Sequence, residues 1–170
     1  LDEVKRIRAR LETAKVRTGF KGTLNEFMAH LNTAPELRFK TREEIQEAYE
    51  SLRPRVDAKV PAYFGRLPKT PFEIRPVEAF REVAAAPAQY SGGLADGSRP
   101  GIFYYNAYQP HTRTRFSTTA IFLHEAIPGH HFEGSLSREH ASLPAFRRYG
   151  GSSAYSEGWG LYSEMLGEEM

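Results

Sequence analysis

Helical spacing of apolar residues dominates the first third of the chain. From Leu1 to Ala14 they recur at intervals of three and four, which predicts an amphipathic helix. A shorter helix is predicted from Thr23 to Leu31. Thr41 and Glu44 have the spacing of a capping box at the start of a third helix, which we expect to continue with a kink past Pro54. All three helices are interpreted as scaffold.

The middle of the chain changes from helical spacing to strand patterns interrupted by proline and glycine. Residues 67–71 contain two prolines and predict a linker, and residues 72–77 predict an edge-type strand that ends at a proline. Residues 90–101 contain four glycines and predict an extended loop. Residues 102–106 predict a short aromatic strand. This strand could pair with an extended peptide substrate, or its aromatic rings could belong to the core.

The last third returns to helical patterns. A helix capped by Thr118 or Thr119 is expected to carry a histidine-rich segment, and a last helix is expected from about Ala154 to Met170. The chain thus begins and stops inside helical patterns, and no signal peptide is recognisable. We therefore expect a segment of a longer protein, either cytoplasmic or exported.

Length and composition are those of one ordinary domain. The 170 residues suffice for a single domain with a real core. We predict a mainly α fold (α+β) with a small β element, divided into a helical scaffold (1–66), a strand and loop region (67–108) and C-terminal helices (109–170). A net charge of +2 does not indicate nucleic acid, and no apolar run approaches the about 20 residues that span a membrane. The absence of cysteine excludes disulfides and thiolate metal sites.

A cluster of histidines gives the strongest indication of chemistry. Three of the six histidines are His124, His130 and His131, and a glutamate follows the first directly. Imidazole is a common zinc ligand, and an H-E-x-x-H helix would place the second histidine at position 128, where this chain has Pro128. The proline must kink, bulge or break the helix. A bulge of two residues brings His130 into register and a bulge of three brings His131; we favour His130 as the second ligand.

A catalytic zinc usually has a third protein ligand and an open position. The candidates are Glu133, His140, Glu157 and Glu164. Glu157 is favoured because its small neighbours let another element approach closely. Glu164 lies seven residues further on the same helical face, which suits a hydrogen bond that orients a ligating histidine. His131 could have a similar role or face the substrate.

The chemistry expected of this site is peptide hydrolysis. Glu125 is predicted to act as the general base, which takes a proton from a metal-bound water and passes it to the leaving amine. Tyr155 and Tyr162 are candidates for the donor to the oxyanion or for substrate contacts. The sequence therefore predicts a zinc-dependent metallopeptidase. The alternatives are a catalytically inactive metal-binding module of the same fold and a purely structural helical domain.

Three motifs in a fixed order carry a resemblance to a known family. They lie in residues 96–106, 123–131 and 156–162. Over its length the chain resembles a bacterial domain-of-unknown-function family, number 885, which is grouped with the zinc metallopeptidases and whose members are longer. The resemblance implies a zinc-metallopeptidase-like, mostly helical fold, with a metal site at His124, one histidine of the adjacent pair, and Glu157. It supplies no substrate.

Overall fold

The computed structural model describes all 170 residues and shows a mainly helical α+β fold with one three-stranded sheet, as expected from the sequence. The helices are α1 (Asp2–Arg17), α2 (Leu24–Thr33), α3 (Arg42–Asp57), α4 (Thr118–Glu125), α5 (His130–Glu139), α6 (Ala145–Tyr149) and α7 (Ser153–Leu166), and the strands are β1 (Phe72–Pro76), β2 (Ala88–Ser91) and β3 (Gly101–Tyr105). None of the helices is long and apolar enough to cross a membrane. The chain divides into two compact units, residues 1–38 and 39–170.

The first unit contains α1 and α2. A capping box starts α2, since the Thr23 hydroxyl accepts a hydrogen bond from the Glu26 backbone N–H and the Glu26 carboxylate accepts one from the Thr23 N–H. The ring of Phe20 packs on Phe27 and His30, with centroid separations of 5.4 Å in both cases. α1 forms as its periodicity predicts, yet none of its residues is buried.

The second unit is built around α3 and the sheet. The Thr41 hydroxyl caps α3 by accepting from the Glu44 N–H, whereas the Glu44 carboxylate accepts from the Lys40 N–H, so the capping box is incomplete. The helix continues through Pro54, as expected. Its apolar face buries Ile45, Tyr49, Leu52 and Val56.

The sheet has the order β1-β3-β2, in which β1 is parallel and β2 antiparallel to β3. The prediction of an edge strand at β1 is confirmed. Because β3 is hydrogen-bonded on both sides, it has no free edge, and the expectation that a peptide substrate could pair with it is wrong. Phe103 and Tyr105 of β3 are buried against the ring of Tyr49. β2 differs from the expectation of a loop at Tyr90 and Ser91, because only Tyr90 of its four residues has a high strand propensity.

The histidine-rich segment is broken between α4 and α5. α4 ends at Glu125, Ala126 leaves helical geometry (φ −102°, ψ −98°), the Ile127–Pro128 peptide bond is cis, and α5 begins at His130. Of the three outcomes expected at Pro128, a kink, a bulge or a break, the structure shows a break, because proline lacks the N–H that would continue the helix. Trp159 of α7 donates its indole N–H to the Pro128 carbonyl at 2.7 Å, so α7 is tied to the break.

The bounds of the C-terminal helices also differ from the expected ones. The N-cap residue of α4 is Ser117, whose side chain makes no capping hydrogen bond, so neither Thr118 nor Thr119 caps the helix. α7 begins at Ser153 and ends at Leu166, four residues before Met170. α6 was not predicted, since its five residues carry no resolvable period.

Candidate metal centre

The break brings two histidine rings together. His124 stands at the end of α4 and His130 opens α5, and their ring centroids lie 4.7 Å apart with the planes at 89°. Gly129 makes this possible, since a Cβ at this position would lie 1.8 Å from the carbonyl oxygen of His124. Only glycine therefore allows the backbone to fold back so closely over the end of α4.

Two carboxylates contact the ring nitrogens of His124. Its Nδ1–H donates to the Glu164 carboxylate at 2.7 Å, since a carboxylate can only accept. Its Nε2 lies 3.3 Å from a carboxylate oxygen of Glu157, to which it donates when the ring is protonated and which it faces with a lone pair when the ring is neutral. The His124 ring is thus oriented by one carboxylate and faces another.

The two ring nitrogens of His130 are arranged similarly, since one contacts a neighbouring side chain and the other faces Glu157. Its Nδ1 lies 3.3 Å from the Ser156 hydroxyl, and its Nε2 lies 3.7 Å from the second carboxylate oxygen of Glu157. Both Nε2 atoms therefore face one carboxylate, whose side chain is 60% exposed. Zinc–nitrogen distances of about 2.0–2.1 Å place tetrahedral ligand atoms about 3.3 Å apart. The spacing of this donor set fits a zinc ion.

Charge around the two histidines is strongly negative. Glu125 is half-buried, and a carboxylate oxygen of its side chain and ligand nitrogens of His124 and His130 all lie within 4.8 Å of one another. Glu125 makes no hydrogen bond or ion pair with the protein, and neither Glu157 nor Glu164 pairs with lysine or arginine. Three unneutralised carboxylates around two imidazoles favour a bound dication.

Small residues of α7 let it approach this centre. A Cβ at Gly160 would lie 2.6 Å from two atoms of the His124 ring, whereas a Cβ at Gly158 would meet nothing within 4 Å. Gly160 therefore permits the contact between α7 and His124. The sequence indicated small residues around Glu157, but not that one of them would pack against the ligand ring itself.

His131 lies in a different environment. Its Nδ1 is 2.9 Å from the Tyr90 hydroxyl, and its ring packs on Phe72 with a centroid separation of 4.6 Å. Burial, with smaller effects of nearby arginines, lowers the pKa of His131 to about 4. Of the two histidines considered as the second ligand, the structure brings His130 and not His131 to His124.

The other candidate residues lie around the centre without joining it. Burial raises the pKa of Glu133, which lies one turn after His130. His140 is exposed beyond α5 and contacts the Ser142 hydroxyl. Tyr155 and Tyr162 are exposed on α7, and neither hydroxyl hydrogen-bonds to a residue of the cluster.

A cavity of about 730 Å³ opens beside His130, between α5, α6 and α7. Glu133, Tyr155 and Ser156 lie in its wall. Ser156, which holds His130, was missed from the sequence. Its position directly before Glu157 was a usable signal, because a ligating histidine usually needs a partner for its second nitrogen.

The fold and the site define a mainly helical α+β protein with a histidine–glutamate cluster of metal-ligand type. The chain belongs to the family described as "Bacterial protein of unknown function (DUF885)", which it matches over residues 1–170. It is similar to the crystal structure of "the putative lipoprotein from Colwellia psychrerythraea", with 33% identity and a TM-score of 0.91 over 99% of this chain. The chain spans 30% of the length of that protein. No curated protein matches it.

Proposed function

We propose that this protein is a zinc-dependent metallopeptidase in which His124, His130 and Glu157 hold the metal. One observation carries the proposal: the Nε2 atoms of both histidines face the same carboxylate, at 3.3 and 3.7 Å, while their Nδ1 atoms are engaged by Glu164 and Ser156. A carboxylate that faces two imidazole nitrogens is stabilised by a cation between them, which is either a proton on a nitrogen or a metal ion that all three groups bind. Two imidazoles and a carboxylate with an open fourth position are the donor set of glutamate-type zinc hydrolases.

A zinc ion at this position would act as a Lewis acid that activates water and polarises the scissile carbonyl. The remaining steps belong to side chains of the chain. Glu125 has no partner in the protein, so its carboxylate can accept the proton of the attacking water and return it to the leaving amine. Glu164 holds the His124 ring in the orientation that keeps Nε2 free.

The second candidate function is a metal-binding module that no longer hydrolyses peptides. The environment of Tyr155 and Tyr162 favours it, because both are exposed and neither hydroxyl hydrogen-bonds to a residue of the cluster, so neither candidate donor for an oxyanion is held at the site. In the peptidase proposal this donor comes from another part of the full-length protein. The relative described as a lipoprotein supports an exported location for this protein as well.

Metal content tests the site directly. We expect the full-length protein, purified and dialysed against zinc, to carry about one zinc per chain in elemental mass spectrometry. His124→Ala and Glu157→Ala should lose it, and His111→Ala, which removes an exposed histidine elsewhere, should keep it. Zinc retained in both site variants, or absent from the parent protein, would contradict the assignment.

Glu125→Gln separates the enzyme from the binding module. The amide cannot take up a proton, so we expect zinc to stay bound while hydrolysis of a peptide library falls by at least about 100-fold. Glu47→Gln, at an exposed position of α3, serves as the control. Hydrolysis at the parent rate in Glu125→Gln would exclude the general-base role, and no hydrolysis in the parent would favour the binding module.

A further inference from the structure

A second group of unpaired polar atoms lies beside α4, away from the histidines. A cavity of about 130 Å³ has Tyr49, Arg113 and Ile121 in its wall. The Nε–H of Arg113 is buried and has no hydrogen-bond partner. Tyr49 is 5% exposed, and its hydroxyl likewise donates to no group of the protein.

Other polar groups of this cavity are already engaged. The Asn106 amide donates to the carbonyls of Glu82 and Ala85, and its oxygen accepts from the Tyr108 N–H. The hydroxyls of Thr114 and Ser117 bond to each other at 2.7 Å. The Arg113 Nε–H therefore remains as a buried donor without an acceptor, and the Tyr49 hydroxyl as a donor that no group of the protein engages. Because buried donors are nearly always paired, an acceptor for the Arg113 N–H is expected from outside the chain.

The position of the cavity connects it to the proposed base. Ile121 lines it, and Glu125 follows four residues later on the same face of α4, which is about 6 Å along the helix axis. Burial raises the pKa of Tyr49, on which the charges of Arg113 and Glu125 act in opposite directions. The Tyr49 hydroxyl thus lies within the electrostatic reach of both side chains.

On the basis of the proposed peptidase function, we propose that Arg113 and Tyr49 form a subsite for a carboxylate of the substrate, on the side of α4 that carries Glu125. Arginine and tyrosine side chains that line one cavity offer N–H and O–H donors that suit the two oxygens of a carboxylate. The volume corresponds to about four water molecules, which is enough for a carboxylate on a short stem.

The carboxylate can be the C-terminus of a peptide or the side chain of an aspartate or glutamate. Three peptides that differ only at their last residue or C-terminal group distinguish these sources. The first has a free C-terminus, the second a C-terminal amide, and the third is the amide with glutamate at the last position. kcat and KM are measured for each with the full-length zinc-loaded protein. Arg113→Gln and Tyr49→Phe are compared with Arg55→Gln, which changes an exposed arginine of α3.

We expect a carboxylate-bearing peptide to have the lower KM, and Arg113→Gln to raise that KM by about 10- to 100-fold with little change in kcat. Tyr49→Phe keeps the ring that packs on Phe103 and should have a smaller effect in the same direction. The uncharged amide should be unaffected by either variant. Preference for the first peptide identifies the C-terminal carboxylate, and preference for the third identifies a side chain.

Equal KM values for all three peptides in the hydrolysing parent protein would overturn the subsite. If no peptide is hydrolysed, the proposed function is wrong. The subsite is then tested independently by calorimetry, which measures the binding of the same peptides to the zinc-loaded protein. Tighter binding of a carboxylate peptide than of the amide, lost in Arg113→Gln and kept in Arg55→Gln, would support it. Equal binding of the acid and the amide would overturn it.

Discussion

Replacing Gly160 by alanine tests whether the contact between α7 and His124 sets the geometry of the metal site. The new Cβ would lie 2.6 Å from Cε1 and Nε2 of His124 and 2.9 Å from its Nδ1, whereas ordinary contacts begin at 3.4 Å. Either the ring or the helix must therefore move by about 0.8 Å. The indole–carbonyl hydrogen bond from Trp159 to Pro128 holds the helix at the neighbouring residue, so we expect the ring to move.

A shift of this size exceeds the tolerance of a metal site, where ligand distances stay within about 0.2 Å of their usual values. It also disturbs the 2.7 Å hydrogen bond from His124 to Glu164, and the loss of such an outer hydrogen bond lowers metal affinity by about 10- to 100-fold. We therefore expect the Kd for zinc to rise at least about tenfold in Gly160→Ala, measured by competition with a chromophoric chelator.

Gly158→Ala is the matched control, because the same substitution in the same helix meets nothing within 4 Å. Alanine stabilises a helix by up to about 1 kcal/mol relative to glycine, so both variants carry this gain. In urea unfolding of the metal-free proteins, Gly158→Ala should have a higher free energy of unfolding than the parent protein. The free energy of unfolding of Gly160→Ala should be lower than that of Gly158→Ala, because the steric overlap destabilises the folded state. Equal zinc affinity in the two variants would refute the role of the Gly160–His124 contact.

Three further outcomes follow from the contacts around the site. Glu164→Ala removes the acceptor of His124 Nδ1–H, and chelator competition should show zinc affinity reduced by about 10- to 100-fold. In EDTA, the free energy of unfolding should fall as the pH decreases from 6.5 to 4, by up to about 1.4 kcal/mol per pH unit. The reason is that His131 is protonated in the unfolded chain over this range but not in the folded chain, where its pKa is about 4. Urea titrations of His131→Asn should therefore show a free energy of unfolding that depends less on pH. Trp159→Phe deletes the donor to Pro128 and should lower the free energy of unfolding by at least about 1 kcal/mol; an unchanged urea midpoint would contradict this.

Local patterns in the sequence determined most of the helical architecture. The helical periods, the cap at Thr41 and the edge strand β1 all depend on interactions between neighbouring residues, which can be read directly from the sequence. A disruption at Pro128 is also expected from the residue itself, because proline lacks the N–H of the helical hydrogen bond, but the continuation of α3 through Pro54 shows that a proline alone does not decide between a kink and a break. The candidate ligands His124, His130 and Glu157 could be named from residue type and spacing, and their role as ligands stays a prediction.

Only the tertiary structure decided which distant residues and strands contact each other. The choice between His130 and His131 depends on the path of the backbone through the break, and that path is held by a hydrogen bond from Trp159, in another helix. β2 forms because β3 offers it hydrogen bonds, not because its own residues favour a strand. The approach of Tyr49 to Arg113 likewise joins distant parts of the chain. Such contacts depend on the packing of whole elements, and no periodicity within the sequence encodes them.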